Sequence, residues 1–140
     1  IGFSSVPTKI DFGENTISSV EKSYQGVLDN SVVVSDTRAT SLSTPWTVSV
    51  AQTSPIQEVM SDTGAPVMGG ISFMNYLSYD GQVLTSNPQI IHSTTSGKTG
   101  DTVVIDGKSP SLFTLRVPIG FQKADANFKG TLSWTLTSAP

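Results

Sequence analysis

Few side chains among these 140 residues could serve as acids, bases, nucleophiles or ligands. There is no Cys, which excludes thiol catalysis, disulfides and Cys-based metal sites together. His92 is the single imidazole, and the eight Asp and three Glu are scattered along the chain with no recognisable pairing of nucleophile and base. His92 follows Ile90-Ile91 and precedes a Ser/Thr run, without a second His to share a metal, so it reads as a structural or surface residue. Asp101 and Asp106 flank Thr102-Val103-Val104-Ile105, which is not the dense acidic loop that holds calcium. The expectation is a chain that is not an enzyme, with no catalytic residue, no metal and no cofactor.

What remains is one charge pair and two indoles. Asp36 and Arg38 are two apart, hence on one face of an extended strand, where an ion pair would fix the loop before Trp46. Trp46 and Trp134 could stack on a sugar ring or anchor an interface. Alternation argues for the other role. Trp46 lines up with Val48 and Val50, and Trp134 with Leu132 and Leu136, so each indole is expected to point into the core and the two motifs to pack near each other.

The charges are placed unevenly. Net charge is −3, and the eight cations all fall outside residues 39–97. So few Lys and Arg argue against nucleic acid, whose affinity comes mainly from cations on phosphates. The cation-free stretch holds all three Met together with Phe73, Tyr76 and Tyr79. Interface centres are poor in charge and rich in Met and aromatics, which makes Met68, Phe73, Met74, Tyr76 and Tyr79 a candidate partner surface. The same composition also suits the central strands of a sheet.

The elements that must position these residues are strands. In Thr131–Thr137, apolar Leu132, Trp134 and Leu136 alternate with Thr131, Ser133, Thr135 and Thr137; Pro45–Val50 repeats the pattern, and Ser111–Val117 follows it less cleanly, with Leu112 on the polar side. Further candidates are Lys9–Phe12, Ser31–Ser35, Pro55–Met60, Gly70–Met74, Gln82–Thr85, Gln89–His92 and Thr102–Ile105. Turn signals such as Phe12-Gly13-Glu14-Asn15, Asp62-Thr63-Gly64 and Tyr79-Asp80-Gly81 separate them. Helical periodicity is absent from long windows, although Glu21–Leu28 or Lys123–Asn127 could hold a single turn. The pattern predicts one all-β domain spanning 1–140, an immunoglobulin-like antiparallel β-sandwich of roughly eight to ten short strands. Much of the content of 21 Ser and 17 Thr is then the wet face of those strands. No run approaches 18 consecutive apolar residues, so no membrane-spanning helix is expected. Ile1-Gly2-Phe3-Ser4 lacks the pattern of a signal peptide, and any export signal is expected to lie outside the given sequence.

The two Trp motifs, Trp46-Thr47-Val48 and Trp134-Thr135-Leu136, stand in an order that resembles the WxL domain of Gram-positive cell-surface proteins. Ile10-Asp11-Phe12-Gly13, Thr16-Ile17-Ser18, Val34-Ser35-Asp36-Thr37-Arg38 and the ending Thr137-Ser138-Ala139-Pro140 extend the likeness from about residue 9 to 140. The first motif departs from the family pattern, with Val48 in place of Leu, and Phe128 stands where the family often has Tyr. The resemblance implies a non-catalytic module that attaches exported proteins noncovalently to the wall. Its partner would be peptidoglycan or a companion wall-anchored surface protein, and its location the extracellular face of the wall.

Overall fold

The computed structural model describes residues 1–16, 18–108 and 111–138. Ile17 and the closing Ala139-Pro140, both within the segments that carry the family resemblance, lie outside the described residues. The fold is all-β and antiparallel. Its strands are β1 (Gly2–Ser5), β2 (Ile10–Asp11), β3 (Lys22–Gln25), β4 (Val27–Leu28), β5 (Val32–Asp36), β6 (Trp46–Val59), β7 (Ser72–Phe73), β8 (Leu77–Tyr79), β9 (Gln82–Val83), β10 (Gln89–Ser93), β11 (Gly100–Ile105), β12 (Phe113–Val117) and β13 (Asn127–Ser138). Strands β3 and β4 occupy the Glu21–Leu28 stretch where a helical turn was possible. The predicted strand number is also corrected upward, and two strands are long rather than short. Pro45–Val50 and Pro55–Met60 fuse into the 14-residue β6, and β13 runs for 12 residues.

β6 and β13 form the spine. They pair along their full lengths, and β10 and β7 flank β6 on its other side. Lys129 lies opposite Gln57, Thr131 opposite Ser54 and Leu132 opposite Gln52, so β6 carries two extra residues around Pro55. Proline has no N–H to give the ladder, and bulges of this kind bend the strand that contains them. Two extra residues restore the period-two phase, and Ile56 and Glu58 beyond the bulges are buried as Val48 and Val50 are before them. Gly130 sits at the bend, where a Cβ would meet the end of the Ile56 side chain at 2.7 Å and require that side chain to shift.

The bent spine faces two smaller sheets. One has the order β3-β12-β8-β9 and the other β1-β5-β11, with β2 and β4 paired separately. Val50, Ile56 and Phe73 of the spine sheet pack with Leu77, Phe113, Leu115 and Val117, while Trp46 and Val48 pack with Val34 of β5. The result is a two-layer sandwich, consistent with an immunoglobulin-like layout. The less clean alternation resolves as read: Phe113, Leu115 and Val117 of β12 are buried, and Leu112, just before the strand, is exposed. Gly81 (φ 81°), preceded by Asp80 (φ 49°), makes the left-handed turn between β8 and β9. No helix among the described residues is long and apolar enough to cross a membrane.

Candidate functional site

The long antiparallel pair brings the two Trp motifs side by side. Trp134 lies opposite Val50, Leu136 opposite Val48 and Ser138 opposite Trp46. The two indoles have different environments. Trp46 is 1% exposed, packed with Val34 and Val48 and tilted against the His92 ring at 5.4 Å. Its backbone N–H donates to Thr94 Oγ1 at 2.9 Å, and its carbonyl accepts from the Thr94 N–H at 3.0 Å. Its indole Nε1 is buried without a hydrogen-bond partner among the described residues. Val48 is fully buried beside it. Trp134 and Leu136 are half-buried, and Trp134 meets Phe113 edge-on at 6.0 Å.

The half-exposed indole lines a groove of about 1310 Å³ between the layers, bounded by the 7–16 segment and the 121–131 segment. Phe12, Tyr24, Phe121 and Phe128 contribute further aromatic surface, and Lys9, Asp11, Lys123 and Asp125 add charges of both signs. Gln52 of β6 also lines it. This side chain is 1% exposed; its Nε2 donates to the Ser54 carbonyl at 3.1 Å, while Oε1 has no partner among the described residues. Sequence reading missed Gln52 because a Gln on a strand is ordinarily a surface residue; the signal was period two, since Gln52 continues the buried row of Trp46, Val48 and Val50 in regular register with β13. Flat aromatic faces with a few polar groups can take a sugar or an extended peptide.

Asp36 and Arg38 form the ion pair that their spacing suggested. Arg38 Nε donates to Asp36 Oδ1 at 2.9 Å and NH2 donates to Oδ2 at 2.9 Å, a two-pronged contact. The Ser43 hydroxyl donates to Oδ2 at 2.7 Å, and Arg38 NH1 reaches Thr44 Oγ1 at 3.3 Å. This clamp ties the end of β5 to the loop that delivers Trp46. Asp36 is 1% exposed, and its hydrogen bonds from Arg38 and then Ser43 hold its carboxyl far below the usual range, against the opposing effect of burial. The same contact raises the Arg38 guanidinium. A second buried carboxylate, Glu58, accepts from Lys123 Nζ at 2.9 Å and from the Ile71 N–H at 3.2 Å, which lowers it and fastens the 121–126 segment to β6. Nothing in the spacing of Glu58 and Lys123, 65 residues apart, could have revealed this pair.

The candidate partner surface does not form one exposed patch. Phe73 is buried, stacked on Phe121 at 5.2 Å in the core. It is withdrawn as a surface residue, because β7 pairs with β6 and turns this ring inward. Tyr76 is half-buried between Phe73 and the Arg116 guanidinium, which lies 4.8 Å over its ring. Tyr79 packs on Phe113 at 4.9 Å, and burial pushes its hydroxyl up, with Asp80 adding to the shift. Met74 is half-buried, and only Met68 of the five stands fully out, at 99% exposure. Residues 39–97 contribute β6 to β10, so much of their apolar content serves the sheets.

His92 lies against Trp46, and its imidazole is lowered first by burial and then by the positive charge of Lys98. Among the described residues no three His, Asp or Glu side chains converge as a metal centre. Set against protein-family models, curated proteins and solved structures, the chain matches none.

Proposed function

We propose that this chain is a WxL-type attachment module, exported and non-catalytic, that holds a protein at the outer face of a Gram-positive wall by noncovalent contact with peptidoglycan. The observation that carries this reading is the division of labour between the two paired motifs. Trp46 is spent on the core, whereas Trp134 keeps part of its indole on an aromatic groove that also holds the buried Gln52 amide. A sugar ring stacked on Trp134 would use that surface. With a net charge of −3 the domain gains no general attraction to the anionic polymers of such a wall. Retention then rests on stacking and hydrogen bonds and should fall only modestly between low and physiological salt. The test is co-sedimentation of the purified chain with protein-free sacculi; a chain left in the supernatant, or a steep loss with salt, counts against it.

A second reading, a protein-interaction module for a companion wall-anchored surface protein, is favoured by a different observation. Met68 at 99% and Met60 at 47% exposure flank the turn that follows β6, an adaptable apolar pair of the kind found at protein contacts. In that case retention requires the surface proteins of the producing cell, and Met68→Lys weakens it without affecting the fold.

A further inference from the structure

β13 is the outer strand of the spine sheet. Both β10 and β7 lie on the far side of β6, so among the described residues the other edge of β13 has no strand beside it. Natural edges are usually short, or are blunted by charge, proline, bulges or a covering segment. This one runs for 12 residues and carries neither charge nor proline from Gly130 to Ser138. Its bulges are confined to the pairing of residues 129–132, leaving the remainder regular. Every residue of β13 is exposed or half-exposed, including the core-side row of Leu132, Trp134 and Leu136.

The total surface points the same way. A folded monomer of this mass is expected to expose about 7,000 Å², and this 14.8 kDa chain exposes 8209 Å². The excess, about 1,200 Å², is larger than the roughly 800 Å² that each partner contributes to a standard interface.

We propose that a second copy of this chain covers the edge, with β13 pairing antiparallel to β13 about a two-fold axis at Trp134. The sequence of the strand is self-complementary in that register. Leu132 would face Leu136 of the other copy, Ser133 would face Thr135, Thr131 would face Thr137, and the two Trp134 would face each other. Apolar meets apolar and hydroxyl meets hydroxyl at every pair, the kinds of cross-strand contact that stabilise sheets, and no like charges oppose. Lys129 falls outside the paired stretch. The inference stands on the free edge and the surface area, and does not depend on what the groove binds.

The test is sedimentation velocity of the purified chain over a wide concentration range, without wall material. Wild type should pass from monomer to dimer as concentration rises. The double variant Ser133→Lys/Thr135→Lys would place lysines opposite lysines twice in the dimer and should weaken association by about tenfold or more. Both residues are exposed, so far-UV circular dichroism and the melting temperature should be nearly unchanged. The control Asp101→Lys/Val103→Lys puts two lysines at exposed positions of the other long edge strand, β11, and should leave the dimer intact. A wild type that stays monomeric throughout, a β13 variant that dimerises like wild type, or a β11 variant that loses the dimer overturns the proposal.

Discussion

Replacing each Trp by Ala separates its structural share from its binding share. Trp46 is almost wholly enclosed by Val34, Val48, His92 and the half-buried Phe3, Ile91, Val104 and Leu136. Truncating a fully buried Trp costs about 3–5 kcal/mol, as lost transfer energy plus a cavity that the surroundings fill only in part. At about 2.1 cal/mol/K of unfolding entropy per residue, a 140-residue domain loses roughly 10–17 °C of melting temperature. Because whole domains are stable by only about 5–15 kcal/mol, Trp46→Ala takes a large fraction of the total. Trp134 is half-buried with one ring contact, to Phe113, so about half that loss is expected, roughly 5–8 °C. Urea denaturation followed by far-UV circular dichroism measures both, and an unchanged m-value would confirm that stability alone has moved. If Trp134→Ala costs as much as Trp46→Ala, the assignment of one indole to the core and the other to the groove is wrong.

Acid should loosen the loop before Trp46. The carboxyl of Asp36 is lowered in the folded state, so its contribution to stability is present above the unfolded value near 4 and is lost as pH falls below it towards the folded value. Asp36→Asn should therefore be less stable than wild type at neutral pH and should show a shallower loss between pH 4 and 2 in a thermal-melt series. Gly97→Ala should destabilise by about 1–3 kcal/mol, because a Cβ there would lie 2.1 Å from the Ser43 carbonyl oxygen; equilibrium denaturation reads this, and a neutral effect would place the 95–98 segment elsewhere. Val48→Leu, which would give the first motif the Trp-x-Leu form of the second, adds a methylene at a fully buried site and should cost about 1–3 kcal/mol unless neighbours repack.

Strand alternation was the most legible feature. The core rows of β5, β12 and the two motif strands could be read residue by residue, since a half-buried strand writes its burial directly into period two. Four short strands, Gly2–Ser5, Lys22–Gln25, Val27–Leu28 and Leu77–Tyr79, escaped, because two to four residues give too little pattern to distinguish a strand from a loop. The fusion of two predicted strands into β6 escaped as well. Proline usually demotes a strand, and here its missing donor is absorbed by bulges opposite Gly130. At the candidate site, Asp36 and Arg38 were readable because they are local. The Glu58–Lys123 pair was not, because it joins segments distant in sequence, and Gln52 was passed over for its polarity although it continues the buried row of Trp46, Val48 and Val50. Phe73 was misread because Met-rich, charge-poor composition is common to interfaces and to cores.

The most direct test of the proposed function is the binding of Trp134→Ala to protein-free sacculi, measured beside wild type and Trp46→Phe at equal folded concentration. Trp134 offers its half-exposed ring to the groove, while Trp46 has no surface to offer. Wild type and Trp46→Phe should be retained alike, and Trp134→Ala should lose about tenfold or more in affinity, the loss expected for a stacked anchor worth about 1.4 kcal/mol or more. Equal retention of all three, or retention of none until companion surface proteins are added, would contradict it.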